Sequence, residues 1–585
     1  MSITDTTTQT KRSSILHAWP ALLVLLAGCF RLASPDVPLG MAWGRAIVER
    51  GALPETNIFS HMNPDRIVLL DKWLFQVTTY LIHAITGPWG LIALRIALLV
   101  VALLAIAKAV RIRWQWTPHA LLAVGMAIAL MNRCYVRAEL VTWAAIPLTL
   151  CLVPGIAAGK KRAWMLLVLL QALWANAHGY WVVGPMLWAA IAAGAAFHVL
   201  LTRKGFGERD ATRPPKARRR LLIAAPVALA AACLTPYGIR TVAHPVRLAL
   251  ELQKNDILKR AVDDFGTPLE AIRRGGTIPF WACCAMAIAG ILAAVWLARQ
   301  RRLEGEKLAL LGLGLVLGLP YYRNMTIMAL CAMPMAVDAI RIWRDGRDKP
   351  IQPWRYAVAA LPAALWLGAA FSGSPQATDY GARQLGFGWN LDRYPIAPAD
   401  WVARNAPDAK LWNDLGVGGW LNLRLGEGQT YIDGNTDGYP LKFLEQYDAQ
   451  FNGTDVAPWL NAQNGCTVAL IDYGGDDQTL AKFLRGVSWF ETPAFGYADD
   501  RYCVLFASPD APGADPKLSR SFWQSIIARV NANAALAEGH SVALLTSVPP
   551  SAPNNMYARS GRLVHWLYPN DPAAQAHYTR TRRAQ

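Results

Sequence analysis

Long apolar runs, separated by short polar loops, fill this chain as far as Phe371. The runs are Ile15–Ala33, Trp89–Val110, Thr117–Met131, Leu140–Pro154, Ala163–Ala175, Tyr180–Leu201, Leu221–Leu234, Ile278–Ala298, Leu308–Leu319, Met325–Ile340 and Tyr356–Phe371. Several fall short of the roughly 20 residues that cross a bilayer, so their polar ends count toward the span. The pattern predicts about eleven transmembrane helices over residues 15–372. Beyond Phe371, Asp, Asn and Gly become frequent. Short apolar segments (Lys410–Asn413, Thr430–Asp433, Thr467–Asp472, Tyr502–Ala507) then alternate with helical patterns at Leu441–Phe451 and Gln478–Gly486. That alternation predicts a small α/β domain over 373–515. Residues 516–585 hold one helical pattern, Leu518–Ala535, and a Pro-, Asn- and Arg-rich tail expected to be partly disordered. The expected fold class is an all-α polytopic membrane domain followed by a small α/β extracytoplasmic domain.

Charge gives the helices a direction. Basic residues crowd Lys11/Arg12, Arg111/Arg113, Lys160–Arg162, Arg203–Arg220, Arg299–Arg302 and Arg341–Lys349. With eleven spans every one of these loops falls on the cytoplasmic side, as the positive-inside rule requires. Residues 1–14 are then cytoplasmic, and Ile15–Ala33 is expected to be a retained first helix, since no small-residue cleavage site follows it. Loops 34–88, 132–139, 177–179, 235–277 and 320–324 face outward with everything after Phe371, which in a bacterial inner membrane is the periplasm. Within the first outer loop, Met41–Gly51 predicts a short helix ended by Gly51. Leu70–Thr86 predicts a helix lying in the interface, because Asp71, Lys72 and His83 oppose a full span.

Composition agrees with this layout. Hydrophobic residues make up 54% of the chain and charged residues only 17%, against about a quarter in soluble domains. The net charge of +18 lies mostly in the short basic loops. It reads as helix orientation and not as a nucleic-acid surface. Seven of the nine Cys lie in or beside apolar segments. Cys466 and Cys503 fall outside them, and either a disulfide or two buried thiols fits their positions.

The residues able to do chemistry gather in the outer loops, each with a structural alternative. Asp36 follows the first span directly and could take a proton from an acceptor hydroxyl, or cap the next helix. Lys72 could bind a lipid-linked phosphate, since an ammonium pairs strongly with phosphate, or stand solvated at a helix start. Arg137 and Glu139 sit where ionisable groups mark either substrate paths or structural pairs. His178, in Trp174-Ala-Asn176-Ala-His178-Gly179, could hold a phosphate or a metal or relay a proton, or help Asn176 cap helix ends. Tyr237 and Arg323 are further candidates for substrate and phosphate, with an interfacial aromatic belt as the alternative for Tyr237. No P-loop, serine nucleophile elbow, paired CxxC or HExxH motif is present, so ATPase, serine-hydrolase and zinc-enzyme readings lack support. A transporter fits less well, because the charges cluster at one face and not at mid-membrane.

The phrases form an ordered set. Asp36, then Gly44-Arg-Ala-Ile-Val-Glu-Arg-Gly51-Ala-Leu-Pro54-Glu-Thr-Asn57-Ile-Phe59-Ser60, then Lys72-Trp73-Leu-Phe-Gln76, resembles the first outer loop of bacterial GT-C-type membrane glycosyltransferases. Arg137-Ala-Glu-Leu, Trp174-Ala-Asn-Ala-His178-Gly179, Thr235-Pro236-Tyr237-Gly238 and Tyr322-Arg323-Asn324 resemble later stretches in the same order. Asn413-Asp414, Gly418-Gly419-Trp420-Leu and Ile432-Asp433-Gly434-Asn-Thr-Asp437-Gly-Tyr439 resemble the C-terminal domain of one branch. The resemblance implies inverting transfer of a sugar from a polyprenyl-phosphate donor to a glycan, lipid or protein acceptor. Asp36 would be the base, and Lys72, Arg137 and Arg323 would hold the phosphate. The chain departs from the family pattern at Val37-Pro-Leu-Gly40, where a Trp- and His-bearing run is common. It departs again at Asp71-Lys72, in place of a His-Glu pair, and at Asn57-Ile58, in place of an Asp before Phe-Ser. A divalent metal is unsupported as a cofactor for that reason. The alternative reading is a non-catalytic GT-C-like scaffold of an envelope polysaccharide or appendage assembly machine.

Overall fold

The structure is a computed structural model that describes residues 27–113, 117–207, 212–245, 247, 266–344, 354–372, 384–451, 466, 468–472, 494–499, 501–506, 515, 517 and 570–583. These divide into two compact units, one of residues 27–34 and 70–390, the other of 35–69 and 391–583.

The first unit is helical. Its long helices are Pro88–Ala109, Thr117–Ala129, Glu139–Ala158, Lys161–Ala177, Val183–Arg203, Pro215–Ala231, Ile278–Arg299, Gly305–Gly318, Met325–Arg344 and Trp354–Phe371. Each matches an apolar run of the sequence. The run Ile15–Ala33 lies outside the described residues except for its last few. Five segments are long and apolar enough to cross a membrane: Pro88–Ala109, Glu139–Ala158, Gly179–Arg203, Ile278–Arg299 and Tyr322–Arg344. The chain is a multi-pass membrane protein. Its helices close on a core that includes Trp143, Trp174, Trp181, Trp188 and Phe280, all buried. Two helices meet backbone to backbone at Gly194 and Gly305, where a Cβ on Gly305 would stand 2.3 Å from the Gly194 carbonyl oxygen. Small residues permit such approach between membrane helices, where dispersion contacts and not water exclusion drive association.

One buried cation has a plain structural task. Arg95, inside the helix Pro88–Ala109, donates from Nη2 to the carbonyls of Gly28 (2.5 Å) and Phe30 (2.6 Å) and lies over the Phe30 ring. It satisfies carbonyls left open where a helix ends. On the basic side of the unit, Arg213 pairs with Glu306, and Lys307 reaches Glu304 and Asp338 at 2.7 and 2.8 Å. These ion pairs join helix ends.

Trp73–Thr86 is helical, as the interfacial pattern predicts, with Lys72 at its N-cap. It buries Phe75, Gln76 and Thr79 and leaves Leu81 and Ile85 exposed.

The second unit contains a four-stranded sheet in the order β1-β2-β4-β3: β1 Leu411–Asn413, β2 Val468–Asp472, β3 Ala494–Ala498 and β4 Tyr502–Phe506. β1 and β2 are parallel, and the other pairs are antiparallel. Helices Ile396–Asn405, Leu415–Leu425 and Leu441–Phe451 accompany it. Ala399, Val402, Val417 and Leu421 of the first two pack against Val468, Leu470, Val504 and Phe506. The sequence pattern places a strand at Thr430–Asp433, but the structure has only an isolated bridge there, Ser60 to Thr430. Side chains have taken the place of a strand neighbour: the Tyr431 amide donates to Asn413 Oδ1, and the Asp433 amide to Tyr439 Oη. Gln478–Gly486 and Leu518–Ala535 lie outside the described residues. The tail, expected to be partly disordered, carries a helix at Pro572–Arg583. Cys466 and Cys503 are free and buried, which decides the open question of a disulfide against it.

Residues 35–69 belong structurally to this unit. The helix expected over Met41–Gly51 begins earlier and runs Asp36–Arg50. Pro38 falls in its first turn, where a missing amide hydrogen has no helical partner to lose. Gly51 closes it at φ 64°. Arg45 donates to the carbonyls of Asn422 and Leu423, Arg50 pairs with Glu427, and Ser60 Oγ donates to the Tyr431 carbonyl at 2.9 Å. The Thr430 amide returns a bond to the Phe59 carbonyl.

Asp414, at the start of the helix Leu415–Leu425, makes this unit pH-sensitive. Burial pushes its carboxyl up to about 8, and the charge of Asp472 adds to that; the Asp472 amide, donating to Oδ2 at 2.6 Å, opposes it. An unfolded Asp titrates near about 3.9. Between about 4 and 8 the folded unit keeps a proton that the unfolded chain has shed. Its contribution to stability is therefore fullest below about pH 4 and is lost as pH rises to about 8. Asp414→Asn should flatten the difference in melting midpoint between pH 5 and pH 8, read by tryptophan fluorescence on the full chain in detergent. An unchanged slope would assign the pH dependence elsewhere.

Candidate functional site

In the first unit, three separate phrases of the sequence converge. The Asp71 carboxylate packs on Gly179: a Cβ there would fall 2.1 Å from Asp71 Oδ2. Only glycine fits such an approach. Trp73 Nε1 donates to Asn176 Oδ1 at 2.8 Å, and Asn176 Nδ2 donates to the Leu234 carbonyl at 2.8 Å. The Leu70 amide donates to Tyr237 Oη at 3.1 Å. Asn176 thus ties helix ends together, and the Tyr237 phenol oxygen holds the start of the helix Trp73–Thr86. His244 Nε2 lies 4.0 Å from Asp71 Oδ2.

Beside this junction stands a charged group. Glu139 opens the helix Glu139–Ala158, where the helix dipole favours a carboxylate. Its Oε1 is shared by Arg323 Nη2 at 3.0 Å and Arg133 Nη2 at 3.5 Å. Arg133 is fully buried and adopts φ 58°, a left-handed conformation that a non-glycine residue keeps only when its surroundings hold it. Arg323 comes from the turn Tyr322–Asn324, which Tyr322 Oη fixes by donating to Asn132 Oδ1 at 2.9 Å. The Arg323 guanidinium lies 5.0 Å from the Tyr180 ring centre, and Tyr180 stacks on His178 at 5.2 Å. Arg137 donates from Nε to Ser34 Oγ at 2.9 Å and lies over Tyr135.

His178 sits at the centre of this group and is neutral. Burial pushes its pKa down to about 3; Glu139 opposes that, while Arg323 and Lys72 add to it. Trp174 Nε1 donates to Thr142 Oγ1 at 2.9 Å, and that hydroxyl lies 2.7 Å from His178 Nδ1. The arrangement that uses each hydrogen has the Thr142 hydroxyl donating to Nδ1, so Nε2 carries the imidazole hydrogen as a neutral donor. Lys72 is exposed and near enough for its charge to act on His178. Two cations, Arg133 and Arg323, share the Glu139 carboxylate, and the charges of Arg323 and Lys72 both act on His178. Such a group attracts a dianion and holds it by charge-assisted hydrogen bonds.

Asp36 belongs to the second unit. It is half-buried in the first turn of its helix. A Cβ on Gly434 would stand 3.6 Å from Asp36 Oδ1 and 3.3 Å from Leu39 Cδ2, so the backbone of the Asp433–Gly438 turn passes beside the carboxylate. Among the described residues, no group of three or more His, Cys, Asp or Glu side chains is placed to hold a metal ion.

No protein-family model matches the chain, and no curated protein matches it. Solved structures do. AglB, the oligosaccharyltransferase of the archaeon Archaeoglobus fulgidus, solved with an inhibitory peptide and a dolichol-phosphate, is 13% identical; the similarity covers 86% of this chain and 76% of that one at a TM-score of 0.52. The same organism's oligosaccharyltransferase in complex with Zn and sulfate is 13% identical over 97% of this chain and 85% of that one, at 0.50. This chain has the GT-C fold. ArnT from Cupriavidus metallidurans, bound to undecaprenyl phosphate, is similar at a lower TM-score of 0.48 with 13% identity, over 86% of this chain and 99% of that one.

Within the GT-C fold, Lys72, Glu139, His178 and Arg323 are brought together, with Tyr237 at the adjoining junction. Arg137 engages Ser34 instead. Sequence reasoning passed over Arg133, Thr142, Tyr180 and His244. Arg133 had a usable signal: an ionisable residue directly after an apolar run is costly there and calls for a partner.

Proposed function

We propose that this protein is a glycosyltransferase that moves a sugar from a polyprenyl-phosphate donor to an envelope glycan, lipid or protein acceptor at the periplasmic face of the bacterial inner membrane. The observation that carries the reading is the pair Arg133 and Arg323 on Glu139, with Arg323 and Lys72 both acting by charge on a neutral His178, in a chain with the fold of an oligosaccharyltransferase that was solved with dolichol-phosphate. Lys72 and Arg323 neutralise the phosphate that leaves with the electron pair of the sugar C1–O bond. His178 Nε2–H adds a donor that carries no charge. Asp36 accepts the proton of the acceptor hydroxyl as its oxygen bonds to C1 from the opposite side, which inverts the anomeric centre. The basic loops, expected on the cytoplasmic side by the positive-inside rule, would put the loops that carry Lys72, His178 and Arg323 on that outer face.

A photoreactive polyprenyl phosphate should cross-link to the purified full chain and be competed by unlabelled polyprenyl phosphate but not by polyprenol. Lys72→Ala removes one charge-assisted contact, worth roughly 1.5–3 kcal/mol, so affinity should drop at least about tenfold. Equal competition by polyprenol, or no effect of Lys72→Ala, would overturn the phosphate reading.

A further inference from the structure

The Asp433–Gly438 turn is held by a dense set of hydrogen bonds and exposes only Gly434. The Asp433 amide donates to Tyr439 Oη, the Asn435 amide to Asp433 Oδ1, and the Gly438 amide to the Asn435 carbonyl. From outside the turn, Asn422 Nδ2 donates to Asp433 Oδ2 at 2.6 Å and Asn57 Nδ2 to the Gly438 carbonyl at 3.2 Å. Behind it, Gly419 lets the helix Leu415–Leu425 press on the start of the Asp36 helix, since a Cβ there would meet the Pro35 carbonyl oxygen and Leu39 Cβ, each at 2.8 Å. Both the turn and the Asp36 helix are thus held in register by the same unit. What the turn leaves vacant is the space at Gly434. Gly434 is exposed, its φ lies outside the left-handed region, and a methyl group would fit at ordinary van der Waals distance from Asp36 Oδ1. Backbone conformation therefore does not call for glycine here. A Cβ would press on Leu39 Cδ2 at 3.3 Å and stand 3.6 Å from Asp36 Oδ1, so any side chain at 434 takes up space beside the carboxylate. Past the gap, Asn435, Thr436 and Asp437 are half-buried, so the approach is flanked by short polar side chains.

We propose that Gly434 is a specificity-determining residue: its missing side chain is the opening through which a carbohydrate hydroxyl reaches Asp36, with Asn435, Thr436 and Asp437 as its polar rim. The assignment rests on the reading of Asp36 as the base. A branched residue at 434 closes the opening, whereas alanine narrows it by one methyl group. The acceptor is a slim, hydroxyl-rich moiety that enters edge-on.

The test measures access directly. The purified full chain is treated with a water-soluble carbodiimide and glucosamine, and glucosamide formed at Asp36 is quantified by peptide mass spectrometry. Wild type is expected to label. Gly434→Val should label at least tenfold less and Gly434→Ala by an intermediate amount. Gly416→Ala, at a position with open space around it, should label as wild type. Thermal melting establishes that each variant is folded, and Gly434→Ala decides the matter if the valine variant is not. Labelling that is unchanged in Gly434→Ala and Gly434→Val, or absent in wild type, overturns the proposal. These readouts involve no turnover, so they stand apart from the base reading, which fails only if Asp36→Asn retains transfer.

Discussion

Asp36→Asn is expected to abolish sugar transfer while the chain stays folded and still captures the donor lipid. General-base catalysis contributes about 10²–10⁴-fold, and an amide of the same shape cannot accept the proton. The structural cost is small. The Asp36 helix is anchored further along by Arg45 on the Asn422 and Leu423 carbonyls and by Arg50 on Glu427. Loss of the charge from the first turn removes roughly 0.3–1 kcal/mol of dipole interaction. Product formation in membranes should fall by at least about a hundredfold, with cross-linking to the polyprenyl phosphate probe unchanged. Full transfer by the variant would remove Asp36 as base, and it would do so without touching the phosphate reading.

Glu139→Ala is the second large effect, and it acts on stability. Arg133 is fully buried and Arg323 mostly so, and both address the same Glu139 oxygen. Removing one partner from a buried ionic group typically costs about 3–5 kcal/mol, because the remaining charge has been desolvated. Here two like charges are left facing each other. The unfolding midpoint in a detergent titration should fall clearly below wild type. A lipid phosphate supplies a replacement anion, so polyprenyl phosphate should raise the midpoint of Glu139→Ala more than that of wild type. Polyprenol should not. A midpoint equal to wild type, with no extra response to the phosphate lipid, would show that Glu139 does not organise the arginines.

The sequence reveals its membrane helices because the interior of a bilayer leaves little choice of residue. Trp89–Val110 and Ile278–Ala298 coincide almost residue for residue with helices Pro88–Ala109 and Ile278–Arg299. Arg95 shows the limit of that signal. It reads as a defect in an apolar run, and only the carbonyls of Gly28 and Phe30 explain it. The site was legible as phrases and not as contacts. Lys72, His178 and Arg323 stand out as charges near an interface, but the fit of Asp71 against Gly179 depends on the absence of a side chain. The strand expected at Thr430–Asp433 failed because its main-chain groups are taken up by the side chains of Asn413, Tyr439 and Ser60, which a local pattern does not encode. For the same reason, nothing local assigns residues 35–69 to the second unit. Their bonds go largely to main-chain carbonyls, which look alike in every residue.

That last feature sets a timetable for the ribosome. Ser60 and Tyr431 are 371 residues apart in the chain. At roughly 5–20 residues per second, about 20–75 s separate the synthesis of the Asp36 helix from that of the strands and turns that hold it. During that interval the segment exists with its partners still unmade. Synthesis of the last third of the chain is then what completes the fold of residues 35–69, and a ribosome stalled before Tyr431 leaves the Asp36 helix still waiting for its support.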